Sequence, residues 1–219
     1  MKTDISLDLE TLSKRNDAAI LSIGATEFDR NTGEIIRSLY AEIDIDSAIS
    51  VGHVDGSTLS WWMRQEPAAR AIFNEDRVKL PLTVALLQLN EFVGATPACV
   101  WGNGATFDIS ILETAYNKAM LRAAPWEYWN IRDMRTIVEA ARTLGFEKAM
   151  VPFMGTKHNA LDDAAHQARI ISAAWRAVTR LDEFEPCLDS SDVALEDDLI
   201  AVAAHALQRR ELAVCEANS

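Results

Sequence analysis

The order in which hydrophobic periods change along the chain restricts its fold more than any other feature. Apolar and polar residues alternate over residues 4–9, residues 18–28 are rich in apolar side chains such as Ile20, Leu21 and Ile23, and residues 35–45 give a third β signal. Asp29, Arg30, Asn31, Thr32 and Gly33 mark a turn between the last two, so the three segments predict an antiparallel meander. Helical signals then take over. Ser57 and Thr58 offer N-caps for a short helix bearing Trp61 and Trp62, Pro67 fits the first turn of another, and Pro81 starts a third that ends near Gly94. Residues 98–101 read as a short buried strand, with a helix over 107–122 after it. Asp133 can cap a helix running to Gly145, and a long helix follows over 160–180. Three antiparallel strands, then strands alternating with helices, describe an α/β chain with a mixed central sheet and helices on both faces.

Residues 181–192 are polar, carry Pro186 and the Ser190-Ser191 pair, and read as a linker. Beyond it Leu195, Leu199, Ala203 and Leu207 recur at helical spacing, so residues 193–219 are expected to form an amphipathic helix, packed on its own domain or on a partner. The rest of this 219-residue, 49% apolar chain suits one catalytic domain over residues 1–180. Asp4 and Asp8 interrupt the opening residues where a signal peptide needs an unbroken apolar run, and no later stretch approaches about 18 consecutive apolar residues. A cytoplasmic protein with no membrane contact is the expectation. Cys99, Cys187 and Cys215 lie far apart without CxxC spacing and read as reduced thiols. The net charge of −12 argues against a nonspecific DNA binder, which draws on a basic surface. Much of that charge sits in the tail, where ten acidic residues face two basic ones from Leu181 onward.

Three segments gather the residues able to do chemistry. Asp8-Leu9-Glu10 ends the leading strand, and residues two apart on a strand share a face, so both carboxylates can meet one cation. Alone, the pair reads first as a solvated strand face and only second as a metal site. Asn103-Gly104-Ala105-Thr106-Phe107-Asp108 follows the buried strand and opens a helix, where an acid is favoured by the dipole whether or not it binds metal. His158-Asn159-Ala160-Leu161-Asp162-Asp163 enters the last core helix, placing a histidine before it and an acid about one turn in. A satisfied surface histidine is the ordinary alternative.

Together, in this order, Asp-x-Glu, Asn-x-x-x-Phe-Asp and His-x-Ala-x-x-Asp resemble the ExoI, ExoII and ExoIII motifs of DEDDh 3′-5′ exonucleases. That superfamily includes RNase T, oligoribonuclease and the proofreading subunit of bacterial DNA polymerase, on an RNase H-like fold. The resemblance covers residues 1–180. Within it, Ser60-Trp61-Trp62 and residues 129–136, reading Trp-Asn-Ile-Arg-Asp-Met-Arg-Thr, look most like phage exonuclease A (DexA-type) proteins and the Rv-type exoribonuclease-like family.

The resemblance implies a metal-dependent enzyme that releases nucleoside 5′-monophosphates from the free 3′ end of single-stranded DNA or of 3′ overhangs. Short RNA or RNA 3′ overhangs are the alternative substrates, and a catalytically silent nucleic-acid or protein-binding module is the alternative of a different class. By the same likeness Asp8, Glu10, Asp108 and Asp163 hold two Mg²⁺ ions, for which Mn²⁺ substitutes; all-oxygen donors suit both metals. Asp8, Glu10 and Asp163 share one ion, and Asp8 bridges to a second near Asp108. His158 is the implied general base. Thr11 and Leu12 are implied to touch the terminal nucleotide, Leu12 as an apolar wedge, while Trp62 and Phe107 stack on bases. Trp61 is assigned to the core, since adjacent helix residues do not share one cleft. Core packing is also expected of Trp101, Trp126, Trp129 and Trp175. Asp133 and Arg135 are expected to be structural, Asp162 to be a solvated neighbour of Asp163, and Lys157 either to hold a phosphate or to be solvated. Relatives include monomers and dimers, and a homodimer is the expectation here.

Overall fold

The computed structural model describes residues 3–94 and 97–179. The linker and terminal helix expected over 181–219, with Cys187 and Cys215, lie outside the described residues. Five strands form one sheet in the order β3-β2-β1-β4-β5. Strands β1 (Thr3–Thr11), β2 (Ile20–Phe28) and β3 (Ile35–Glu42) make the antiparallel meander, with β4 (Ala98–Gly102) parallel to β1 and β5 (Ile131–Asp133) parallel to β4. Short turns suffice for the antiparallel pairs, while the parallel neighbours need the helical crossovers that the second half of the chain supplies.

Alternation along β1 decides what each face of the sheet becomes. Ile5, Leu7 and Leu9 enter a core shared with Leu86 and Leu89 of α4 (Leu82–Val93) and Ile109, Leu112 and Tyr116 of α5 (Asp108–Met120). The opposite side of the sheet carries a second core, in which Phe28 and Trp101 meet Met134 and Val138 of α6 (Met134–Arg142) and Ala168, Ile171 and Ala174 of α7 (Ala160–Thr179). Helices thus cover both faces. The intervening β1 residues, Asp4, Ser6, Asp8 and Glu10, are polar. Asp4 is answered by Arg30 Nε at 2.7 Å and Trp101 Nε1 at 2.7 Å, with the Arg30 guanidinium 4.7 Å from the Trp175 ring. This buried pair fastens one end of the strand, and Asp8 and Glu10 stand toward the other.

The boundaries follow capping more closely than propensity. The third strand stops at Glu42, short of the expected residue 45, because Asp44 accepts the Ser47 N–H at 2.8 Å and starts α1 (Ile45–Ile49). Helix α2 (Gly56–Trp62) is capped by Asp55, which accepts the Ser57 N–H at 2.7 Å, and not by Ser57 or Thr58. Pro67 opens the short α3 (Pro67–Arg70) as expected. Asp133 caps α6 by accepting the Thr136 N–H at 2.8 Å. Trp101 and Trp126 are buried, whereas Trp129, expected in the core, is 56% exposed beside Tyr128 in a 3-10 turn. Among the described residues no helix is long and apolar enough to cross a membrane.

Candidate active site

The alternation that sends Leu7 and Leu9 into one core sends Asp8 and Glu10 to the face under α7. In register, Asp8 lies opposite Gly24 of β2. A Cβ on Gly24 would stand 2.0 Å from the Ala160 carbonyl oxygen, so the first turn of α7 rests on bare backbone there. That approach brings Asp163 and His158 over the two β1 carboxylates. The entry to α7 is fixed locally. Asn159 Oδ1 accepts the N–H groups of Leu161 and Asp162 at 3.1 and 3.2 Å, and His158 adopts φ 62, letting its N–H donate to Asp163 Oδ2 at 2.8 Å. The His158 ring stands edge-on to Trp61, centroids 4.9 Å apart. Glu10, His158 and Asp163 each offer a ligand atom within 4.8 Å of the others'.

Asp108 comes from the opposite core. After Gly102 the chain turns, with the Phe107 N–H donating to the Gly104 carbonyl at 2.8 Å, and Asp108 enters the first turn of α5 only 3% exposed.

The carboxylates feel one another. Burial pushes Asp8 well up, helped by the charges of Asp108, Glu10 and Asp163. Burial together with Asp163 and Asp108 raises Glu10 to about 8. Asp108 is raised to about 7 by burial, against the pull of backbone N–H groups of Leu9 and Asn103 and of the Arg135 charge. Burial raises Asp163 as well, although the His158 N–H works the other way. Four carboxyls raised by burial, two of them pushed up further by the charges of the others, are a donor set that a divalent cation would satisfy.

Gln167 is a member of the site that the motifs do not contain. It is 5% exposed, and its Nε2 donates to Asp8 Oδ1 at 2.6 Å. Its place four residues after Asp163, hence on the same helix face, is the signal that could have found it. Gly24 left no comparable trace, because its importance depends on register.

Several expected substrate contacts are placed differently. Trp62 is 2% exposed, its Nε1 donating to the Thr11 carbonyl at 2.9 Å, so it braces the site from within and presents no stacking face. Its neighbour Trp61, assigned to the core, is the one that faces His158. The reason is the turn of α2, which directs residue 62 toward Phe73 and the core. Leu12 is 3% exposed within the first core, which is not the position of a wedge. Thr11 is 8% exposed, and its hydroxyl donates to the Ser13 carbonyl at 2.8 Å. Phe107 is half-buried beside Asp108. Asp162 is not merely solvated, since its Oδ2 accepts the Thr156 N–H at 2.7 Å and pins the loop before His158. Asp133 takes the Ala105 N–H at 2.6 Å besides capping α6, so it shapes the loop leading to Asp108.

The sequence model of the 3′-5′ exoribonuclease Rv2179c-like domain matches residues 3–175. The chain belongs to this family. As an Rv2179c-like protein it is a 3′-5′ exonuclease. It is 25% identical over 161 residues to an exodeoxyribonuclease of Enterobacteria phage T4, a match spanning 63% of this chain and 71% of that protein. Among solved structures it resembles cell-death related nuclease 4 (CRN-4), with TM-score 0.56 and 12% identity over 80% of this chain and 64% of that one. It also resembles Pop2p of S. pombe in a Mg²⁺- and Mn²⁺-bound form, with TM-score 0.55 and 13% identity over 85% and 86% of the two chains. A third likeness, to exonuclease I, has TM-score 0.55 and 13% identity over 79% of this chain and 41% of that one. At such identities the structural likenesses speak for the fold of this Rv2179c-like protein, the RNase H-like arrangement with three antiparallel strands first.

Proposed function

We propose that this Rv2179c-like protein hydrolyses the 3′-terminal phosphodiester of single-stranded DNA, or of DNA 3′ overhangs, releasing nucleoside 5′-monophosphates. The observation that carries the reading is the convergence of Asp8, Glu10, Asp108 and Asp163, from three distant stretches of chain, into one cluster where burial raises every carboxyl and neighbouring charges push Asp8 and Glu10 up further. The all-oxygen set fits Mg²⁺, with Mn²⁺ as its substitute. Two such ions, held by Asp8, Glu10 and Asp163 and by Asp8 and Asp108, would lower the pKa of a water and neutralise charge on the departing 3′ oxygen.

The chain's own groups account for the remaining work. His158 accepts the proton of the attacking water; its ring is steadied by Trp61 and its backbone by Asp163. Trp61 and Phe107 offer the terminal bases aromatic surface, a contact that tolerates any sequence. Trp62 holds the Thr11 carbonyl and with it the end of β1. RNA is the second reading, favoured by the family's description as exoribonucleases.

End-labelled single strands of DNA and matched RNA, incubated with Mg²⁺ or EDTA, test the proposal. Stepwise, metal-dependent shortening from the 3′ end is expected, and the faster strand names the substrate. Asp8→Ala and Asp163→Ala should abolish it. His158→Ala should slow it about 10²–10⁴-fold while sparing substrate binding. Activity that survives EDTA and both aspartate substitutions would remove the assigned site.

A further inference from the structure

One side of the site gathers basic groups that close no ion pair among the described residues, although the charge of Asp133 reaches both Arg135 and Lys148. Arg15, Arg30, Arg37, Arg77 and Arg142 are all paired with carboxylates. Arg135, Lys148 and Arg169 form no ion pair among the described residues. Arg135 is the second residue of α6, and its guanidinium carbon lies 3.2 Å from where a Cβ on Gly104 would stand, in the loop leading to Asp108. Its hydrogen bond is a long one, 3.3 Å to Asn103 Oδ1. Lys148 is half-buried in the 3-10 turn between α6 and α7, where burial and the charges of Arg135 and Arg142 lower its pKa.

The line continues along α7. His166 follows Asp163 by three residues, Arg169 follows His166 by three, and the fields of Arg169 and Lys148 both reach His166. Among the described residues Arg169 Nη1 and His166 Nδ1 are enclosed without a hydrogen-bond partner, and no acceptor bonds the other nitrogens of the half-buried Arg169 guanidinium. A half-buried guanidinium without an acceptor is costly, and a ligand oxygen that met the nitrogens other than the enclosed Nη1 would offset part of that cost.

We propose that Arg135, Lys148 and Arg169 form a track for the phosphates of the substrate strand upstream of the scissile bond, an inference that rests on the nuclease reading above. Guanidinium and ammonium groups suit non-bridging phosphate oxygens, and two of the three are held by packing before any ligand arrives. At 1.5 Å per residue, Arg169 lies about 9 Å along α7 from Asp163. That span matches two to three stacked nucleotides at roughly 3.4 Å each. The track also explains how a chain with net charge −12 holds a polyanion: the charge that matters is local.

The test compares kcat/KM on a dinucleotide, which has only the scissile phosphate, with that on a decamer, for the wild type, Lys148→Gln and Arg169→Gln. Each substitution should lower the decamer-to-dinucleotide ratio about tenfold and flatten the logarithmic salt dependence on the decamer by about 0.7 per lost contact. An unchanged ratio overturns the track. So does an equal fall on both lengths, which would put these residues at the scissile phosphate or the released monophosphate. Lys148→Gln decides the matter if Arg169→Gln proves to melt early. A wild type that cuts both lengths while the ratio ignores the substitutions sinks the track alone; a wild type that cuts neither sinks the nuclease reading with it.

Discussion

Replacing Gly24 with alanine tests whether the close approach of α7 to the sheet sets the geometry of the acidic site. The new methyl would lie 2.0 Å from the Ala160 carbonyl oxygen and 2.5 Å from the Leu161 nitrogen, where ordinary contact begins at 3.4 Å. Both obstacles are backbone in the first turn of a helix, so no change of rotamer relieves them. Helix α7 must retreat by about 1 Å or more, because a close-packed interior has no slack to absorb the clash. Asp163 and His158 travel with it while Asp8 and Glu10 stay on β1. Overpacking of this kind costs about 1–3 kcal/mol, within the roughly 5–15 kcal/mol that holds a domain together, so the variant should still fold. A misplacement of about 1 Å among reacting groups is worth on the order of 10²-fold in rate. Circular-dichroism melting, calorimetric titration with Mn²⁺ and the exonuclease rate together give the answer. A variant that melts several degrees lower, binds Mn²⁺ more weakly and cleaves about 10²-fold more slowly is expected; wild-type Mn²⁺ affinity and rate in Gly24→Ala would refute the reasoning.

Three further outcomes follow from the same interior. In EDTA the protein should lose stability as pH rises, because Glu10 and Asp108 are raised in the folded state to about 8 and about 7, so their contribution is intact below the unfolded carboxyl range and lost through those values. Melting at pH 5.5 and pH 8.5 should show that loss, Glu10→Gln should flatten it, and Mg²⁺ should stabilise more at the higher pH; a melting temperature that climbs with pH in EDTA would contradict it. Gln167→Met, which keeps the volume but removes the donor to Asp8, should weaken Mn²⁺ binding about 10–100-fold at near-constant melting temperature, as loss of a ligand's outer support does elsewhere. Asp4→Ala strands the Arg30 guanidinium and the Trp101 indole N–H and should cost about 3–5 kcal/mol in denaturant unfolding, with Mn²⁺ affinity unmoved.

Strands β1 to β4, the long helices and the positions of the four acidic residues were legible because each rests on local pattern: alternation in residues 4–9, caps such as Asp133, and motif spacing around Asp108 and Asp163. What escaped depends on contacts between distant segments. Strand β5 is only three residues long and exists because Val100, Trp101 and Gly102 offer it a parallel edge. The exchange of roles between Trp61 and Trp62 turns on how α2 is rotated against Phe73, and adjacent positions on a helix give no clue to that rotation. Gly24 and Gln167 matter only because β2 and α7 meet over Asp8, a meeting no periodicity records.

The bond from Gln167 to Asp8 joins residues 159 positions apart, and the cluster it supports draws on both ends of residues 8–167. Synthesis reads these ends in order. A ribosome that has finished β4 and α5 has made Asp8, Glu10 and Asp108 but neither His158 nor Asp163, so the growing polypeptide holds only part of the acidic cluster. Asp163 arrives with the helix that also completes the second core, so the acidic cluster closes only when that late helix docks.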